Sequence, residues 1–298
     1  MLDWNTPKLS DKEWIEKCVK ESQYIGSDAA FANIYLLRSK YNIKVTYYKD
    51  LLIRYYEGLG NRKGYTFPLG RKDVLSALYA IEQDAKEMNR PLEFCFVTEE
   101  QKEILENTFA GRIECSSDAG DYDYIYGQPE LSLLSGRTYH KKKNHVSKFK
   151  RTYEDYMFCE IGNGNLDDVM LIEDEWYYDR LQQDDTSAMK EYEAIREAVD
   201  NFEELSLSGG IIYANNVPVA MTIASYINDA AVDIHFEKAV GEYAVNGGFA
   251  AINQMYASTL KDVKFINREE DINIPGLRKA KESYHPKFML KKYGVRVK

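Results

Sequence analysis

The run Ser208-Gly-Gly-Ile-Ile-Tyr-Ala-Asn-Asn-Val-Pro-Val-Ala-Met-Thr-Ile-Ala-Ser-Tyr-Ile-Asn-Asp-Ala-Ala-Val-Asp-Ile-His-Phe-Glu237 reads as three successive strands. Asn215-Asn216 makes the first turn, because asparagine tolerates the left-handed backbone of a tight hairpin. Asn228-Asp229 makes the second. Val219, Met221 and Ile223 share a face at period two, as do Val232, Ile234 and Phe236. Asp233, His235 and Glu237 are left together on the opposite, polar face of the third strand. Asn246-Gly247-Gly248 then turns into a helix with Phe249, Ile252, Tyr256 and Leu260 on one stripe. A helix that starts at a glycine turn suits an acyl or phosphate-bearing group. Asn246, Gly247 and Gly248 are therefore candidate cofactor contacts.

On the C-terminal side follow a strand over Val263–Asn267, a helix from Pro275 to Tyr284 with proline in its first turn, and a closing strand region from Phe288 to Val297. On the N-terminal side lie a strand over Tyr156–Ile161 and two helices, Leu166 to about Gln182 and Ser187 to about Leu205. The first half has a similar order. Ser10-Asp-Lys-Glu13 has the form of a capping box, and Ser27-Asp28 can cap a second helix. Strands follow at Ile43–Tyr48, Leu51–Tyr56 and Tyr65–Pro68, then a helix from Arg71 to Met88 and a strand over Leu92–Val97. Thr98-Glu-Glu-Gln101 caps a helix reaching Phe109, and acidic, tyrosine-rich Asp118–Tyr126 reads as a loop. The class is α+β, with mostly antiparallel sheets flanked by helices. A length of 298 residues fits about two domains: 1–134, a basic connecting helix over 135–152, and 153–298.

With 39 Lys and Arg against 48 Asp and Glu, the formal net charge is -9, which excludes a uniformly basic nucleic-acid-binding surface but not a local patch. Cys18, Cys95, Cys115 and Cys159 are far apart and form no Cys-x-x-Cys pair, which fits reduced thiols. No signal-like start and no apolar run approaching about 18 residues is present, so a cytoplasmic location is expected. No ligand spacing argues for a metal, and no Gly-x-Ser-x-Gly or Walker loop is present.

Within this acidic chain, Ser135-Gly-Arg-Thr-Tyr-His-Lys-Lys-Lys-Asn-His-Val-Ser-Lys-Phe-Lys150 carries only positive charges. His140, Lys141, Lys142 and Lys143 form either a solvated connecting helix or an anion site. Together with Ile266-Asn-Arg-Glu-Glu-Asp-Ile-Asn-Ile-Pro-Gly-Leu-Arg-Lys-Ala-Lys-Glu-Ser-Tyr-His-Pro286, this segment resembles the family related to the C-terminal domain of phosphatidylglycerol lysyltransferases. The resemblance extends from about Ser27 to the C-terminus. It implies two tandem GNAT-type acyltransferase domains, akin to Fem-type transferases that use aminoacyl-tRNA. It also implies a basic residue near the reacting end on the helix holding Arg278 and Lys281. Acetyl-CoA users of this superfamily carry Arg or Gln, two residues, Gly, one residue, then Gly or Ala ahead of the long helix. Here Gly248-Phe249-Ala250 supplies the second part and Val245 stands where Arg or Gln is expected, which favours an aminoacyl-tRNA donor over acyl-CoA.

The implied reaction moves an aminoacyl group to an amine or hydroxyl on a lipid, peptide or small molecule, with no cofactor required. Such an ester is already activated, so the protein must position the nucleophile, stabilise the oxyanion and supply a base. His235 and Glu237 on the strand and Lys281 on the helix are the catalytic candidates. Arg268, Glu269 and Arg278 are candidates for binding phosphate or the amino group. Each also has a plain structural reading: a strand's polar face, a solvated loop, or surface cations. An acyl-CoA-dependent N-acetyltransferase and a silent module binding a nucleotide, RNA or an anionic metabolite are the alternatives.

Overall fold

The computed structural model describes residues 2–181 and 188–298. The helix end expected at Gln182 and the helix start expected at Ser187 lie outside them. The chain divides into two compact units. One holds residues up to Ile125 with Glu269–Lys279 and Phe288–Lys298, and the other holds Tyr126–Arg268 with Ala280–Lys287. In chain order the first unit contains α1 (Lys12–Ser22), α2 (Phe31–Leu36), β1 (Lys44–Tyr48), β2 (Leu51–Glu57), β3 (Lys63–Thr66), α3 (Val74–Glu87), β4 (Leu92–Val97), α4 (Glu99–Thr108) and β5 (Ile113–Ser117). β6 (Asp123–Gly127) carries the chain into the second unit. There follow α5 (Gln128–Leu133), α6 (His140–Thr152), β7 (Met157–Glu160), α7 (Leu166–Leu181), α8 (Ala188–Asp200), β8 (Ser208–Ala214), β9 (Val217–Asn228) and β10 (Ala231–Ala239). The chain ends with α9 (Gly241–Val245), α10 (Gly248–Thr259), β11 (Phe265–Asn267), α11 (Pro275–Glu282), β12 (Phe288–Leu290) and β13 (Tyr293–Val297).

The first unit's sheet has the order β1-β2-β3-β4-β13-β5. β1, β2 and β3 are antiparallel neighbours, and β4 returns parallel to β3 after α3. Ala77, Leu78, Ile81 and Ala85 of α3 meet Leu51, Ile53, Tyr65 and Phe94 of the sheet in one core. Each fully buried Leu or Ile there is worth about 1.5–3 kcal/mol. β13, the end of the chain, pairs with both β4 and β5 and adds Val295 and Val297 to this core. In linear order that strand falls within 153–298, yet it belongs to the first unit.

The second unit repeats the order. β8, β9 and β10 are antiparallel neighbours, and β11 lies parallel to β10 after α10. β7 pairs with the outer side of β8. The hairpin turn is as the sequence indicates, with Asn215 and Asn216 at φ 52° and 62°. Among the described residues, no helix is long and apolar enough to cross a membrane.

Four local expectations change. Asp11 rather than Ser10 precedes α1, and its carboxylate accepts from the Lys8 backbone. Ser27 and Asp28 form a short 3-10 turn ahead of α2, and their side chains point to buried charges rather than to helix amides. Asp118–Tyr126 is not simply a loop. It holds most of β6, whose Asp123 is fully buried against Lys292 at 2.7 Å, a partner 169 residues away. Phe249 is 39% exposed, while Ala251, Ile252 and Met255 face the core.

Candidate functional site

The site is built on β10. A register shift between Ile234 and Phe236 marks a bulge, a device that re-aims side chains. Glu237 follows it directly. One oxygen of Glu237 accepts from Arg268 Nη2 at 2.7 Å and the other from Asn253 Nδ2 at 3.0 Å. Arg268 stands just past β11, and Asn253 lies on the inner face of α10. The guanidinium carbon of Arg268 lies 4.7 Å from the ring centre of Tyr284 and 5.7 Å from that of Tyr126. The Lys281 ammonium donates to the Arg268 carbonyl, and the Tyr126 hydroxyl donates to the Lys281 carbonyl at 2.8 Å. Lys281 thus fixes the backbone from which Arg268 projects.

Lys142 arrives from α6. That helix buries Val146 and Phe149, and Lys142 sits one turn before Val146, on the same face. Its ammonium lies 3.7 Å above the ring of Tyr284. Burial, reinforced by repulsion from Arg268, lowers the Lys142 pKa to about 8, with Glu237 acting in the opposite sense. Burial is the largest influence and works against the Arg268 cation, but Glu237, Tyr126 and Tyr284 together outweigh it and raise its pKa. Burial drives the Tyr284 hydroxyl above its ordinary range. The cluster therefore pairs a fixed cation with an amine that is partly neutral near pH 8. The amine can take a proton, and the guanidinium can stabilise a developing oxyanion.

The remaining candidates lie apart from this cluster. His235 is enclosed, its ring 2.8 Å from Ser225 Oγ on one side and 3.4 Å from Asp233 on the other. The polar face expected of β10 is buried, and so is its other face, where Lys238 pairs with Glu191 over the ring of Trp176. His140, Lys141 and Lys143 are exposed on α6. In the first unit, Glu269 accepts from Asn33 Nδ2 at 2.9 Å, and Arg278 holds Asp271 with two hydrogen bonds of 2.8 and 2.9 Å. Arg278 and Lys281 share a helix, yet each has a separate task.

The glycine turn serves close packing. Gly247 has φ 104°, and a Cβ there would come within 2.4 Å of the His145 carbonyl oxygen on α6. Asn246 donates to the Tyr153 hydroxyl at 2.8 Å. Gly247→Ala is expected to cost about 1–3 kcal/mol through backbone strain and separation of the two helices. Urea unfolding measures this, and an unchanged midpoint would contradict the close approach.

Asn253, Tyr126 and Tyr284 were not singled out by sequence. Asn253 carries a faint signal, as a polar residue within the apolar stripe Ala250-Ala-Ile-Asn-Gln-Met-Tyr-Ala257. The two tyrosines are indistinguishable by pattern from the other 22 of the chain's 24.

The family profile described as phosphatidylglycerol lysyltransferase, C-terminal, matches residues 20–296. A conserved protein of unknown function from Bacteroides thetaiotaomicron VPI-5482 has a solved structure that is 30% identical, with 100% of each chain covered and a TM-score of 0.94. The structure of L-PGS from Bacillus licheniformis shares the fold at 14% identity, with 96% of this chain and 92% of that one covered and a TM-score of 0.67. No curated protein matches. Three antiparallel strands, a helix and a fourth, parallel strand follow one another in the same order in both units. The chain belongs to the family of phosphatidylglycerol lysyltransferase C-terminal domains.

Proposed function

We propose that this protein transfers an aminoacyl group from aminoacyl-tRNA to an amine or hydroxyl acceptor, with the Lys142–Arg268–Glu237 cluster at the reacting centre. The observation that carries the reading is Lys142, a half-buried amine with its pKa near 8 beside a carboxylate-anchored guanidinium. Neutral Lys142 takes the proton of the acceptor N–H or O–H as the acceptor attacks the ester carbonyl. Arg268 stabilises the oxyanion. The bond from the carbonyl carbon to the ribose oxygen then breaks, and the proton passes to that leaving oxygen. Glu237 has both oxygens engaged and acts as the anchor of Arg268 rather than as the base. His235 and Lys281 take supporting places in this scheme.

The tRNA part draws on the outer face of α6. His140, Lys141, Lys143, Lys148 and Arg151 on α6, with Arg137 just ahead of it, are exposed with no acidic residue in the segment, as suits phosphate contacts. The family's description, a lysyltransferase acting on phosphatidylglycerol, makes a lipid hydroxyl one acceptor to try. Acyl-CoA is the second reading. Against it stand Val245 in the loop and the His145 carbonyl crowding Gly247. Fluorescence anisotropy of labelled tRNA across a salt series tests the donor. Binding should weaken steeply with salt, and Lys141→Ala with Lys143→Ala should flatten the slope by about 1–2. Absence of binding at low salt would move the search to acyl-CoA or to a silent binding module.

Lys142 gives a pH prediction with a defined sign. Its pKa is about 8 in the folded chain, below the ordinary 10.5. The unfolded chain therefore binds the extra proton, so this group's contribution to stability rises with pH between those values and is at its worst below 8. Lys142→Met should raise the unfolding midpoint at pH 7, with the difference vanishing above about pH 10.5, while transfer is lost. In the unaltered protein, transfer at low substrate should rise with pH and level off above about 8. A flat profile from pH 6 to 9 would remove Lys142 from the role of base.

A further inference from the structure

Lys238 follows Glu237 in β10 and so points to the opposite face of the sheet, where α7 and α8 pack. That face holds a second buried acid. Glu173 of α7 is fully buried, and neither of its carboxyl oxygens has a hydrogen-bond partner among the described residues. α7 packs against α8, β9 and β10, which bring few charges to it. β10 contributes Lys238, α8 contributes Glu191, and α7 itself contributes Asp174. β9 has no charged residue. Arg180, also on α7, acts on Lys238 and has its guanidinium carbon 4.6 Å from the ring centre of Trp176. Lys238 is 4% exposed, and its ammonium lies 3.0 Å from the same ring centre. It is paired with Glu191, whose side chain is 40% exposed.

Two carboxylates thus compete for one ammonium. Burial pushes the Glu173 pKa up to about 7, against the pull of Lys238 and with repulsion from Glu191 and Asp174 adding to the rise. While Glu173 is protonated it needs no counter-ion, and Lys238 serves Glu191. Once Glu173 ionises, it is the costlier of the two to leave alone, because water reaches Glu191 but not Glu173. An ammonium on a flexible four-carbon stem can be re-aimed between them. We propose that Lys238 changes partner, held by Glu191 while Glu173 carries its proton and by Glu173 once that proton leaves, so that the tie between α8 and β10 is made on the acid side and released on the basic side. The switch needs no aminoacyl donor to operate, and it sits one residue from Glu237, which anchors Arg268 on the other face of the strand.

Fluorine NMR of the full chain labelled with fluorotryptophan, from about pH 5.5 to 8.5, tests this. Trp176 is one of three tryptophans, and Trp176→Phe assigns its resonance. That resonance should move in one step centred near pH 7. The step should disappear in Glu173→Gln, which keeps the shape and removes the titration. Over the same range, hydrogen exchange of the α8 amides around Glu191, corrected for intrinsic rates, should quicken by about threefold or more, and should stay level in Glu173→Gln. If that variant does not fold, Glu191→Gln serves at a partly exposed position. Its α8 amides should exchange at the acid end as fast as those of the unaltered chain at the basic end, with no response to pH. No step at Trp176, or a step that survives Glu173→Gln, would overturn the proposal. So would a step with unchanged α8 protection, since Lys238 would then serve both carboxylates at once.

Discussion

Lys292→Met is expected to lower the unfolding free energy by about 3–5 kcal/mol, the cost of breaking a buried ion pair from one side. Lys292 is 3% exposed, and its ammonium lies 2.7 Å from Asp123, 3.1 Å from Asp28 and 3.1 Å from the Ser27 hydroxyl. Asp28 keeps a second cation, Arg54, at 2.9 Å. Asp123, which also accepts from the Ser27 N–H at 2.8 Å, would stay behind fully buried without the Lys292 ammonium. Burial works against the Lys292 cation, but Asp123 and Asp28 outweigh it and raise its pKa well above the ordinary value. The stabilisation from this group is therefore fully present below pH 10.5 and is lost only above it. Urea unfolding at pH 7 measures the effect, with a probe in each unit because the units need not unfold together. Adding Asp123→Asn to Lys292→Met should recover part of the loss. A single variant within about 0.5 kcal/mol of the unaltered protein would show that the cluster is solvated.

Arg268→Lys is expected to reduce kcat/KM for transfer by about 10²–10³-fold, the usual consequence of removing one oxyanion donor. The substitution keeps the charge opposite Glu237, so it avoids most of the penalty that Arg268→Ala would incur. An ammonium on a flexible stem cannot hold Glu237 with one nitrogen and present a second in fixed geometry. It also loses the planar contact with Tyr284 and Tyr126. Steady-state kinetics with an aminoacyl donor, together with circular dichroism to check folding, separate the two effects. A folded Lys variant with unchanged kcat/KM would remove Arg268 from the reacting centre.

Much of the frame was legible in the sequence. Asn215-Asn216 marks its hairpin because few residue pairs sit at positive φ without cost. Thr98 and Gln101 make the reciprocal capping bonds that their spacing announces. These are local signals. The misreadings are non-local. β6 looks like an acidic loop until Lys292 neutralises Asp123, and β13 joins a sheet whose neighbouring strands lie some two hundred residues earlier. The site divides along the same line. Glu237, Arg268, Lys142 and Lys281 stand out by charge, whereas their common support, Tyr284, is a ring whose importance lies only in what stacks upon it. Lys141, Lys142 and Lys143 are three equal cations in sequence, and helical phase alone turns the middle one inward.

The central claim is that the second unit holds the aminoacyl end of a charged tRNA through Arg268. The most direct measurement is the anisotropy of fluorescent tRNA, charged and deacylated, at one low salt concentration, with the unaltered chain and with Arg268→Lys. The account predicts that charged tRNA binds at least several-fold more tightly, and that Arg268→Lys removes this difference while leaving deacylated tRNA unaffected. Equal affinity for charged and deacylated tRNA, or binding to neither, would contradict it.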